Sequence, residues 1–153
     1  MIGRQIKCSD CGFTYMSNIP NNTSYHKKYH DKIVNGILAR HVKSDKVIWK
    51  AESFWITVVN YASPISQKKR AQETARIAHL DMQFEFAPYH ANEPLDERNV
   101  HVFLLNCQNR IVGFLIIERR SKIWKCTWKQ YENRKPQELH YHPPIWSVGL
   151  IWV

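Results

Sequence analysis

The clearest periodic stretch lies mid-chain. From Ile65 to about Met82, Ala71, Ala75, Ala78 and Met82 recur at helical spacing, with Ile77 and Leu80 widening the apolar face and Lys68, Lys69 and Arg70 falling outside it. A helix is predicted there, with Ser63 as its cap and Pro64 at its first position. Val47 to Val59, dense in β-branched and aromatic residues, reads as a single strand ended by Ser63-Pro64. Val100 to Cys107 and Ile111 to Glu118 read as two strands around the turn Gln108-Asn109-Arg110. Pro143 to Val153 reads as a last strand, preceded by a solvent-facing loop in which Pro143 and Pro144 stop any helix. Trp124, Cys126 and Trp128 alternate with Lys125 and Lys129, the pattern of a half-buried strand. Ala87 to Asn99 is polar and proline-bearing and separates the helix from the central strands.

Near the N-terminus the pattern is polar and carries chemistry instead. Cys8 and Cys11 sit on a tight turn, and His26 and His30 follow one helical turn apart. This Cys-x-x-Cys and His-x-x-x-His spacing fits a tetrahedral zinc site, because zinc accepts two thiolates and two imidazoles and needs no redox partner. Four protein ligands leave no open position for water, so the metal is expected to be structural rather than catalytic. Asn22, Thr23 and Ser24 offer caps for the histidine helix. His26, His30, Ile33 and Ile37 would share a face, Gly36 would lie near the end, and Lys27, Lys28 and Lys32 would face water or an anionic neighbour. So short a segment buries little apolar area, so zinc should supply most of its folding free energy, on the order of 10 kcal/mol in comparable peptides.

Size and composition bound the rest. The chain has 153 residues, 44% of them hydrophobic, which allows one finger and one further core. No apolar run reaches the roughly 18 residues needed to cross a bilayer, and the N-terminus lacks the apolar stretch of a signal peptide, so a membrane partner is not expected. With two cysteines in ligand spacing and Cys107 and Cys126 standing alone as expected buried thiols, a reducing, intracellular setting fits best. Lys and Arg outnumber Asp and Glu by 22 to 13, a net charge of +9, which favours phosphate-bearing or acidic partners without choosing between them. His140 and His142 near Cys126 match no closed zinc spacing. Glu118 is the acid that adjoins the central strands, with nothing in the sequence to make it a base.

The run Cys-Ser-Asp-Cys-Gly-Phe-Thr-Tyr at 8 to 15, with His-Lys-Lys-Tyr-His-Asp at 26 to 31, closely resembles the finger of the sister-chromatid cohesion N-acetyltransferases. Gly12, Tyr15 and the His-Lys-Lys-Tyr-His block leading into a helix over Ile33 to Leu38 separate this ESCO-type finger from DNA-reading fingers. The resemblance implies an α+β chain: a small ββα-like two-Cys two-His finger over 1–42, joined to the N-terminal half of a GNAT-like mixed sheet domain over 43–153. It implies a first strand and helix up to Met82, a central hairpin including Val112-Gly113, and a fourth strand at the end. Leu150 departs from the arginine usual in the family. It carries over the zinc ligands Cys8, Cys11, His26 and His30, but no catalytic and no cofactor-binding residue. The family uses acetyl-CoA to acetylate protein lysines, with an Arg-x-x-Gly-x-Gly/Ala loop for the cofactor phosphates. The sequence ends before such a loop, so acetyl-CoA is expected only with a completed domain.

Two functions follow as expectations. One is a zinc-finger acetyltransferase of the cohesion-establishment type, incomplete and weak or inactive alone. The other is a non-catalytic module that docks a protein, or less readily DNA, through a basic face. An exposed last strand would also permit a homodimer. A eukaryotic factor of this type would be nuclear, and a bacterial or viral relative cytoplasmic.

Overall fold

The computed structural model describes residues 4–39, 43–82, 100–125, 132–133 and 137–153. The notable stretches 87–99 and 126–129, with Cys126, lie outside the described residues. The chain opens with a small antiparallel hairpin, β1 (Gln5–Lys7) and β2 (Thr14–Met16), followed by helix α1 (Pro20–Val34). The helix starts earlier than Asn22, Thr23 and Ser24 suggested. Pro20, which has no N–H to leave unpaired, occupies its first turn, and Ile19 is the N-cap without a side-chain bond. Thr23 is already inside, its hydroxyl donating back to the Ile19 carbonyl at 3.3 Å. At the other end Asn35 caps the helix and Gly36 takes φ +82°, so the helix does not run on through Leu38 as expected. Ile37 and Leu38 instead form a two-residue strand, β3.

That short strand is the first element of the main sheet. The others are β4 (Lys46–Ala51), β5 (Phe54–Val59), β6 (Val100–Cys107), β7 (Arg110–Lys125) and β8 (Gln137–Trp152), in spatial order β3-β7-β6-β5-β4 with β8 also on β7. Every pairing among the described residues is antiparallel. The single strand expected over Val47 to Val59 is two. The chain reverses at Glu52, which adopts φ +50°, and β4 folds back on β5. β7 and β8 both extend beyond the expected limits, because they pair with each other from Phe114↔Trp152 out to Lys125↔Gln137. Pro143 and Pro144 therefore lie within a strand and not in a loop. The ladder to β7 shifts register between Arg120 and Lys122, leaving residues 141–144 unpaired in a bulge, where a proline's missing N–H costs no ladder bond.

Helix α2 (Ile65–Met82) covers one face of the sheet. Ala71, Thr74, Ala75 and Ala78 are fully buried, and these small side chains let the helix sit close over Val59, Val102, Leu104, Phe114, Ile116 and Trp152. Leu150 packs against the same cluster. Arg70 does not face water as expected: its guanidinium contacts the Asp45 carboxylate, with only 15% and 3% of the two side chains exposed. Ser63 closes the turn before α2, accepting the Asn60 N–H at 3.0 Å, and Pro64 accepts the amides of Gln67 and Lys68. The opposite sheet face is also apolar. Ile56, Phe103, Leu105, Leu115 and Ile151 line a depression there of about 100 Å³, and Trp49, Trp146 and Val148 stand about half exposed or more.

The finger helix is tied to the sheet at β3. Ile37 pairs with Ile111 and Leu38 with Arg110, and the Ala39 N–H donates to the Asn109 carbonyl at 2.8 Å. The Arg110 guanidinium reaches back to the end of α1. It holds both Asp31 carboxylate oxygens at 3.1 Å and the Gly36 carbonyl at 2.7 Å. Lys32 pairs with Glu73 of α2. The Trp152 indole N–H donates to Asp81 at 2.8 Å, joining the end of β8 to the end of α2.

Two measurements test this junction. A Cβ on Gly36 would lie 2.5 Å from the Ile111 carbonyl oxygen, on top of the left-handed φ, so Gly36→Ala should cost about 2 kcal/mol or more in denaturant unfolding. Arg110, followed by the Asn35 amide, holds the Asp31 carboxyl below the usual carboxylate range. A depressed acid stabilises the fold above its unfolded value of about 3.9 and loses that contribution as the pH falls through the lower folded value. Wild type should therefore exceed Asp31→Asn in unfolding midpoint at pH 7, with the difference closing in that acid window.

Candidate metal centre

The turn carrying the two cysteines is built by backbone bonds and one glycine. The Cys8 N–H donates to the Phe13 carbonyl at 2.9 Å, the Gly12 N–H to the Cys8 carbonyl at 3.1 Å, and Gly12 adopts φ +69°, which a side chain at that position would strain. This knuckle aims Cys8 and Cys11 at α1, from which His26 and His30 project one turn apart. One donor atom from each of the four side chains lies within 4.8 Å of all the others. Cys8 Sγ is 3.4 Å from His30 Nδ1, and Cys11 Sγ is 3.5 Å from His26 Nε2. With Zn–S near 2.3 Å and Zn–N near 2.0 Å, a tetrahedral site has S···N edges of about 3.5 Å. The donor set fits zinc in both kind and spacing, and its four positions are all filled by protein.

The electrostatics of the two thiols differ. The Cys8 thiol is lowered to about 6, chiefly by the backbone N–H groups of Cys11 and Asp10 directed at its sulfur. The Cys11 thiol is raised, first by burial, since it is the most enclosed of the four. A divalent cation is the natural counter-charge for that buried sulfur.

Aromatic rings hold the histidines in place. Tyr15 stacks on His26 with centroids 4.1 Å apart and planes 16° apart. Phe13 lies nearly parallel to His26 at 6.0 Å and also packs on Tyr29 at 5.0 Å and Tyr25 at 5.6 Å. Sequence reasoning singled out Tyr15 but not Phe13. The signal was an aromatic directly after the turn glycine. It also missed Asp31, adjacent to His30, whose ion pair with Arg110 connects the metal helix to the sheet.

Among the described residues no second set of metal-ligating side chains converges. His140 Nε2 lies 2.9 Å from the Glu138 carboxylate, which also pairs with Lys122 at 3.1 Å. Cys107 is half-buried rather than fully buried as expected, and forms no disulfide among the described residues. Glu118 is engaged by Arg120, whose Nε donates to it at 2.8 Å. No helix among the described residues is long and apolar enough to cross a membrane.

Residues 2–32 match the family described as the zinc-finger of acetyl-transferase ESCO. The chain as a whole is similar to the N-acetyltransferase ESCO2 of Mus musculus, 21% identical over 154 residues, and to that of Danio rerio, 20% identical over 149. These matches take in 95% and 94% of this chain but only 25% and 23% of the relatives, so the chain spans about a quarter of their length. Among solved structures, the xEco2 acetyltransferase domain bound to a K105-CoA conjugate superposes with a TM-score of 0.50 at 18% identity, covering 72% of this chain and 64% of that one. The N-terminal segment thus matches the ESCO-type zinc finger, and the α+β sheet behind it is similar in fold to the xEco2 acetyltransferase domain.

The metal centre gives a direct prediction. Elemental analysis should find one zinc per chain, and Cys11→Ser or His26→Ala should abolish stoichiometric binding. Strong chelator should remove the α1 signal in circular dichroism, since α1 has no fully buried residue of its own.

Proposed function

We propose that this chain forms the zinc finger and leading sheet of a protein-lysine N-acetyltransferase of the ESCO type. In this reading Cys8, Cys11, His26 and His30 hold one structural zinc, residues 1–42 act as the finger, and 43–153 act as the GNAT-like portion. The observation that carries it is the continuity of a closed Cys2His2 set, through α1 and β3, with a sheet of Eco2-domain fold. The zinc organises the knuckle and helix and has no vacant position for chemistry.

Acetyl transfer requires a neutral lysine amine to attack the acetyl thioester. The new N–C bond replaces the C–S bond, coenzyme A leaves as thiolate, and the ammonium proton passes to a base. It also requires backbone N–H groups at the oxyanion and a cradle for the pyrophosphate. The 153 residues contain no Gly-x-Gly run for that cradle. Glu118, the acid among the central strands, is occupied by Arg120. Acetyl-CoA therefore belongs to the reading only where further polypeptide completes the domain, and the setting is intracellular, nuclear or cytoplasmic according to the host. Incubated with acetyl-CoA and lysine peptides, the 153-residue polypeptide is expected to give little or no acetyl-lysine by mass spectrometry. Robust product would overturn that part of the proposal.

A second reading, a non-catalytic docking module, is favoured by the +9 charge and by the uncovered sheet surface. Exposed Trp146, Val148 and Ile151, together with the edge of β8 that has no partner among the described residues, suit strand addition, including by a second copy. Under this reading sedimentation should show concentration-dependent dimers, and a monodisperse monomer would remove the homodimer. Any DNA binding should weaken steeply with salt.

A further inference from the structure

We infer that the groove between α1 and α2 is a docking site for an acidic peptide segment carrying an apolar anchor. On α1, Tyr25, Lys28, Tyr29 and Lys32 follow one another at helical i, i+3, i+4 and i+7 spacing and line one wall. They form a stripe adjacent to, and separate from, the one carrying His26 and His30. Opposite them, Arg76, Ile77 and Leu80 of α2 form the other wall of a cavity of about 290 Å³, room for one or two side chains. The helices leave this seam open. Ile77 is buried and forms the floor, whereas Leu80 and Tyr25 remain 41% and 55% exposed at its lip.

The charge selects the occupant. Lys28 and Arg76 stand exposed without an ion-pair partner among the described residues, while Lys32 is already neutralised by Glu73. Tyr29 adds a phenol O–H donor to the same wall. Two unpaired cations, a donor hydroxyl and an apolar floor are complementary to carboxylates flanking a Leu or Phe side chain. The cavity is a short pocket with the apolar Ile77 at its floor rather than a track along which a phosphodiester strand could run. A peptide is therefore favoured over nucleic acid. The proposal does not depend on the acetyltransferase reading.

The test uses the zinc-loaded 153-residue chain and a fluorescein-labelled nonapeptide of Asp and Glu with central Leu and Phe. Fluorescence anisotropy should show saturable binding. Lys28→Glu with Arg76→Glu should weaken it about ten-fold or more, the factor that corresponds to about 1.4 kcal/mol. Leu80→Ser should also weaken it, as should replacing the peptide's Leu and Phe by Ser. Lys27→Glu, a charge reversal on an exposed α1 position outside the groove, should leave binding within two-fold, about 0.4 kcal/mol. Zinc content and circular dichroism confirm that each variant is folded. Absence of saturable binding, insensitivity to the groove variants, equal loss with Lys27→Glu, or equal competition by single-stranded DNA of matched charge would each overturn the inference.

Discussion

One guanidinium holds the two parts of this molecule in register. Arg110 sits at the first position of β7, directly after the turn from β6, and its five donors are fixed in a plane. It takes both oxygens of Asp31 and the carbonyl of Gly36, and so binds the last turn of the metal helix and the glycine just past its cap. A lysine at this position could satisfy one of these acceptors but not the bidentate pair together with the carbonyl. Once this contact forms, Gly36 must turn with positive φ beneath the Ile111 carbonyl, and β3 is delivered to the edge of β7. The Trp152 bond to Asp81 and the Lys32 contact with Glu73 then add further ties along the same junction.

The metal centre uses the same economy of local geometry. A left-handed glycine and two backbone bonds orient the cysteines, and helical periodicity alone orients the histidines. The aromatic layer of Phe13 and Tyr15 replaces the hydrophobic core that so few residues cannot build, and it restrains the His26 ring through stacking. Zinc chemistry and aromatic packing are therefore two halves of one small core.

Much of this was legible in the sequence. Cys8, Cys11, His26 and His30 were evident because ligand spacing is a short-range property. The bounds of α2 at Ile65 and Met82 were evident because its buried alanines recur with the helical period. The failures share a cause. One strand was expected where β4 and β5 make a hairpin, because Glu52 and Ser53 carry no strong turn signal and only tertiary pairing brings Glu52 into positive φ. Ile37 read as helical because its spacing from His30 and Ile33 fits a helix, yet pairing with Ile111 draws it into the sheet. Pro143 and Pro144 read as a loop because the register shift against β7 that accommodates them is set by pairing far along the chain. Arg70 read as exposed because its partner Asp45 lies 25 residues earlier in the chain.

The two-residue strand β3 has an outcome larger than its size. Because the helix that presents His26 and His30 ends in a strand registered against Ile111, ordering of the finger and ordering of that sheet edge are thermodynamically linked. By mass action, a ligand that binds only the folded finger stabilises everything that must be folded with it, by an amount that grows with the logarithm of its free concentration. Zinc bound at Cys8, Cys11, His26 and His30 would thus act on the sheet as well as on the finger, its free concentration shifting how often β3 leaves the edge of β7.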